Sequence, residues 1–137
     1  MRVLAVDPGS KRVGLAVSDP TETIAQPLTT IPAEPAATLA ERLAGAAKKY
    51  DAGRIVVGLP RRLDGSIGPE ARLARQLAAA LRAASKLPVE LVDERLTTAA
   101  AERSLLERGL RREKRRANID RVAATILLQS HLDSKHG

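Results

Sequence analysis

Apolar residues fall along this chain in two rhythms, and the switch between them marks its elements. Arg2 to Asp7 is a short apolar run halted by the breaker cluster Asp7-Pro8-Gly9, which predicts a buried strand. Arg12 to Ser18 (Arg-Val-Gly-Leu-Ala-Val-Ser) predicts a second strand, punctuated by Asp19-Pro20, and a third lies within Ile24 to Ile31. The short links predict an antiparallel meander. Beyond Pro32 and Pro35 the period lengthens. Leu39, Leu43, Ala46, Ala47 and Tyr50 recur at helical spacing. Arg54 to Leu59 is again a continuous apolar run, ended by Pro60 and followed by a Gly-containing loop from Arg61 to Gly68. Pro69 suits the first turn of a helix, whose stripe is Leu73, Leu77, Leu81 and Ala84 and whose end is set by Pro88. Val89 to Val92 predicts a last strand running into Asp93-Glu94-Arg95. Thr98 can cap a helix carrying Leu105 and Leu106 and stopped by Gly109. Asn118 can cap a final helix with Ile119, Val122, Ala123, Ile126 and Leu127 on its apolar side.

The order β-β-β-α-β-α-β-α-α predicts an α/β fold: one mixed sheet, a meander joined to parallel strands, covered by helices. At 137 residues the chain is expected to form a single domain, 1–137. No cysteine is present, so disulfides and thiolate metal sites are excluded. The opening apolar run is too short for a signal peptide, and no stretch approaches the roughly 20 apolar residues of a membrane span. A cytoplasmic protein with no membrane partner is the expectation.

Charge narrows the partners. The net charge is +7, which favours a polyanion, chiefly nucleic acid. There is one Tyr and no Phe or Trp. Readers of unstacked bases usually carry aromatic platforms, so recognition here should rest on phosphates and shape.

The acidic residues sit where chemistry would want them. Asp7 ends the first strand, and Asp93 and Glu94 end the last. In open α/β sheets, ligands bind outside the carboxyl ends of strands. Asp120 lies in the first turn of the last helix, sharing a face with Ala123, Ala124, Leu127 and Leu128. An inward aspartate needs a partner. Hard cations such as Mg²⁺ take oxygen ligands. Two of them about 4 Å apart activate a water and stabilise the leaving oxygen of a phosphodiester. Each acid also has an ordinary role as a loop, capping or helix-dipole residue. Other phosphate-binding templates fail: neither G-x-x-x-x-G-K-[ST] nor G-x-G-x-x-G occurs. His131 and His136 lack metal-motif spacing and read as a helix-surface and a tail residue.

Four segments then carry a resemblance. They are V-D-P-G-S-K-R-V-G-L-A-V-S-D ending at Asp19, V-G-L-P-R-R-L-D-G-S-I-G from Val57, V-D-E-R-L-T-T from Val92, and K-R-R-A-N-I-D-R-V-A-A-T-I-L-L-Q from Lys114. In this order and spacing the chain resembles the YqgF/RuvX family over nearly its whole length. The resemblance implies a ribonuclease H-like fold similar to RuvC-type Holliday junction resolvases. It implies a metal-dependent nuclease with Asp7, Glu94 and Asp120 as catalytic, metal-holding acids, and a site for two Mg²⁺ or Mn²⁺ ions is the expectation. The choice of Glu94 over Asp93 comes from the family. Implied substrates are the 5′ end of precursor 16S rRNA or branched DNA. The motifs do not separate them, nor a monomer from a homodimer.

Basic residues cluster near the same acids. Lys11 and Arg12 follow the Asp7 strand, Arg61 and Arg62 follow another strand end, and Arg95 adjoins Glu94. They are expected to form a phosphate-gripping rim. The run Arg111-Arg112-Glu113-Lys114-Arg115-Arg116 directly precedes Asp120 and is expected to act as an arm on nucleic acid. The rival reading is a non-catalytic nucleic-acid-binding module, in which the acids are structural.

Overall fold

The structure, a computed structural model, describes residues 1–60, 64, 68–97, 99–109 and 116–136; for residues 96, 116–120 and 136 it describes the backbone alone. Its elements are β1 (Arg2–Pro8), β2 (Arg12–Ser18), β3 (Ala25–Pro32), α1 (Ala36–Lys49), β4 (Ala52–Leu59), α2 (Pro69–Ser85), β5 (Val89–Asp93), α3 (Ala99–Glu107) and α4 (Arg116–His136). A 3₁₀ turn, Glu94–Leu96, follows β5. This is the order the two rhythms predict, apart from that turn.

The sheet has five strands in the order β3-β2-β1-β4-β5. β1 pairs antiparallel with β2, and β2 with β3. The pairs β1–β4 and β4–β5 are parallel. β1 therefore sits in the middle and is covered on both faces, which is why its sequence is a continuous apolar run instead of an alternating one. The β1–β2 turn is tight. Gly9 N–H donates to Arg12 O at 3.0 Å, and a Cβ on Gly9 would lie 2.6 Å from that same oxygen, so only glycine fits.

Alternation sorts the strands into two cores. Leu4, Val6, Val13, Leu15, Ile55, Val57, Leu59 and Val89 face α1 and α2, packing on Leu39, Leu43, Ala47, Ala71, Ala74, Ala78 and Leu81. Val3, Ala5, Ala16, Ala25, Val56 and Val92 face α4, packing on Ala124, Leu127, Leu128 and Leu132. Fully burying a Leu or Val side chain stabilises by about 1.5–3 kcal/mol.

Three helix faces depart from expectation. In α2 the buried residues are Ala71, Ala74, Ala78 and Leu81, while Leu73 is 64% exposed and Ala84 is exposed. Small residues let α2 approach the sheet and α1 closely, and Leu73 is displaced to solvent. In α3, Leu105 is buried but Leu106 is 51% exposed. Gly109, at φ +80, does stop this helix, its N–H donating to Leu106 O at 3.0 Å. The helix α4 starts at Arg116, so Asn118 lies inside it and is not its cap. Its buried face is Ala124, Leu127, Leu128 and Leu132, with Val122, Ala123 and Ile126 half-buried.

His131 is also corrected. It is buried, at 7% exposure, with Nε2 3.9 Å from Glu90 Oε2. Desolvation lowers its pKa, outweighing the opposite pull of Glu90. Thr98 and the Arg111–Arg115 part of the basic run lie outside the described residues. Among the described residues, no helix is long and apolar enough to cross a membrane.

Candidate metal and nucleic-acid site

Asp7 stands at the carboxyl end of the central strand, opposite Gly14 of β2. Its parity is that of Val3 and Ala5, so it belongs to the face covered by α4. On the other flank of β1, Val6 is level with Val57 of β4, which sets Asp7 beside Gly58. Two strands over, β5 ends at Asp93. Asp93 continues the parity of Val89 and Leu91, towards α1 and α2. Glu94 continues that of Val92, towards α4.

The structure thus separates the two adjacent acids. Asp93 caps the 3₁₀ turn by accepting Arg95 N–H at 2.9 Å. Its carboxylate also takes the Arg95 guanidinium through Nε at 3.1 and 3.2 Å and through Nη2 at 2.8 Å. This hydrogen bonding raises the Arg95 pKa. Arg95 is accordingly held by Asp93, a pairing with one of the two adjacent acids that the sequence allows beside the rim role.

Glu94 lies over Gly58. A Cβ at Gly58 would sit 2.5 Å from Glu94 Oε1, 3.2 Å from Glu94 Cγ and 3.1 Å from Leu127 Cδ2. The carboxylate therefore folds back across β4, the strand next to Asp7. Glu94 Oε1 is buried and accepts no hydrogen bond among the described residues. A buried carboxylate oxygen left in that state is costly. A hard cation is the partner its chemistry suits, so the donor set fits a divalent ion.

The third expected acid, Asp120, is in the helical backbone of α4, one turn before the buried Ala124. The helix α4 packs on β1 and on the turn that carries Glu94; the Asp120 side chain lies outside the described ones. No group of three metal-holding side chains occurs among the described residues.

Of the basic residues, Lys11 and Arg12 are placed at the same end of the sheet as Asp7. With Thr30, Ile31 and Pro32 they line an open cleft of about 350 Å³. Arg12 pairs with Pro32 across the β2–β3 ladder and shares the parity of Gly14, hence of Asp7. Ala33 N–H donates to Lys11 O at 2.9 Å and ties the β1–β2 turn to the end of β3. Arg61, Arg62, Arg111, Arg112, Lys114 and Arg115 lie outside the described residues, and Arg116 is described by its backbone alone.

Sequence reasoning passed over Gly58. The signal was present, because an isolated glycine inside an apolar strand marks a close approach.

Comparison with known proteins agrees with this architecture. A family model described as "RuvX: Holliday junction resolvase" matches residues 1–134. A "Putative pre-16S rRNA nuclease" of Roseiflexus sp. (strain RS-1) is 48% identical over 134 residues, covering 98% of this chain and 95% of the relative. Among solved structures, Thermus thermophilus RuvC in complex with a Holliday junction substrate superimposes with a TM-score of 0.67 at 14% identity, covering 98% of this chain and 96% of the other. The fowlpox virus Holliday junction resolvase gives 0.57 at 15% identity, covering 98% and 99%. The fold is thus that of RuvC-type resolvases, the ribonuclease H-like fold.

Proposed function

This chain belongs to the RuvX family, and on that premise we propose that it is a divalent-metal-dependent nuclease. It hydrolyses phosphodiester bonds in the 5′-end processing of precursor 16S rRNA, in the resolution of branched DNA, or in both. The observation that carries this reading is the buried Glu94 Oε1, which has no hydrogen-bond partner among the described residues, on the same sheet face and at the same end as Asp7.

Asp7, Glu94 and Asp120 would hold Mg²⁺ or Mn²⁺, in a site suited to two ions. When bound, such ions supply Lewis acidity to a water and neutralise charge on the leaving oxygen. The chain's own part is placement. Asp7 is fixed by the central strand, Glu94 by the turn that Asp93 caps, and Asp120 by α4. Lys11 and Arg12 grip a phosphate of the same strand on the β2 side, beside the cleft they line. The basic run at 111–116 adds further phosphate contacts, and Arg61 and Arg62 extend the rim. Arg95 contributes through whatever charge its pairing with Asp93 leaves. The protein acts in the cytoplasm, as a monomer or homodimer.

The test is cleavage of a labelled four-way DNA junction and a precursor 16S 5′ leader, side by side, with Mg²⁺ or Mn²⁺. Wild type should cut at least one of them. Asp7→Asn, which keeps shape and removes charge, should lose at least a hundredfold in rate while still binding. Equal cleavage by both would overturn the site. Binding without cleavage by wild type on either substrate would favour the non-catalytic module.

A further inference from the structure

We infer that Gly58 is a positioning residue for the metal site: its missing side chain is the space in which the Glu94 carboxylate lies. The inference rests on the reading of Glu94 as a metal ligand and adds a residue that touches no cation itself.

The Glu94 carboxylate lies in the space that a side chain at Gly58 would fill. Gly58 belongs to β4, between the strand that bears Asp7 and the strand that leads to Glu94. It has the α4-facing parity of Val56. Any side chain there would project into the gap between the sheet and α4. That gap is filled from one side by Glu94, with Oε1 at 2.5 Å and Cγ at 3.2 Å from the virtual Cβ, and from the other by Leu127 Cδ2 at 3.1 Å. An atom at 2.5 Å must move. Leu127 needs to give only a few tenths of an ångström. The burden therefore falls on the carboxylate, the far end of a flexible side chain, which can swing aside at small cost to the fold.

Such a swing moves the buried oxygen, which has no hydrogen-bond partner among the described residues, from its place over β4. Divalent sites hold ligands at fixed, short distances, so a displaced carboxylate is a lost ligand. An ordinary β4 residue in this position, such as the Val two places earlier, packs against α4 and leaves Glu94 no room. Glycine here is thus dictated by the carboxylate, while backbone conformation makes no demand for it.

The experiment measures Mn²⁺ binding by calorimetry or electron paramagnetic resonance, with no substrate present, on wild type, Gly58→Ala, Glu94→Gln and the double variant. Gly58→Ala should weaken Mn²⁺ binding at least tenfold with little change in the metal-free unfolding midpoint. In the Glu94→Gln background the same replacement should change affinity less than twofold, because the two act through one carboxylate. If Gly58→Ala unfolds, Gly58→Ala with Leu127→Val removes the Leu127 contact and leaves the Glu94 clash in place. That variant should fold and still bind Mn²⁺ at least tenfold more weakly than Leu127→Val alone. Wild-type affinity in Gly58→Ala, alongside loss in Glu94→Gln, would overturn the role of Gly58 and leave the metal site standing. Unchanged affinity in Glu94→Gln would overturn the ligand reading and this inference with it.

Discussion

Asp93 and Glu94 differ by one methylene and one step along the chain, yet the sheet sends them to opposite faces. Asp93 works on backbone and guanidinium, and Glu94 is left with a buried bare oxygen. Replacing Asp93 therefore tests the support of the site and not its chemistry. Asp93→Ala removes the cap of the turn that starts at Glu94, and should cost about 1 kcal/mol, as loss of a capping side chain does elsewhere. Mn²⁺ affinity should fall with it, since the turn orients Glu94. Asp93→Asn keeps an acceptor for Arg95 N–H and should stay within about 0.5 kcal/mol of wild type. Denaturant unfolding and metal titration of both variants check this. A loss of Mn²⁺ binding in Asp93→Asn as large as that in Asp93→Ala, with the turn still capped, would mean that the Asp93 charge itself serves the metal.

Among the elements, α4 carries most responsibility. It covers β1, β2 and β3 and holds Asp120. Hydrophobic packing alone lets a helix slide along a sheet, and Gln129 supplies a fixed point. Its Oε1 accepts Ala25 N–H at 2.9 Å, and its Nε2 donates to Thr23 O at 3.0 Å and to Asp133 Oδ1 at 2.9 Å. Gln129 is buried, at 6% exposure. Gln129→Leu keeps the size and strands those backbone groups, so it should destabilise by about 1–3 kcal/mol, read from urea unfolding. The face of α4 was only partly legible in the sequence. Ala123, Ala124, Leu127 and Leu128 suggest a stripe, but Gln129 and His131 are buried because the start of β3 and Glu90 of β5 meet them, contacts that no local pattern announces. The face of α2 misled for a related reason. Leucine outweighs alanine in any hydrophobic reading, whereas close packing against α1 and the sheet selected Ala71, Ala74 and Ala78. The strands were legible because a middle strand buried on both sides must be apolar throughout. At the site, the sequence located Asp7 and the Asp93-Glu94 pair. The residue pattern alone did not choose between the pair; the family resemblance did, because which face α4 covers is not written in the local sequence.

On the scale of the whole molecule, a net charge of +7 and a near absence of aromatic side chains describe a protein that meets nucleic acid through its phosphates. The position of Lys11 and Arg12 makes that directional. They lie on the β2–β3 side of Asp7, so on the proposed reading a bound strand would run across the meander half of the sheet. Lys11→Ala with Arg12→Ala should weaken binding and reduce the slope of log K against log salt by roughly 1.5, the release of about two counterions' worth of contacts. An unchanged slope, measured by fluorescence anisotropy over a salt series, would remove these two residues from the interface.

The order of strands has one more consequence. Asp7 stands on the central strand, paired with a neighbour on each side, and strands of that kind open at close to the free energy of global unfolding. Glu94 hangs from the turn after β5, an edge strand, where opening is local and frequent. On the proposed reading, a cation held by both carboxylates would have one ligand that lasts as long as the fold and one that lasts only as long as a turn. Its residence time would therefore be set at the edge of the sheet, and could be shortened or lengthened there without disturbing the centre.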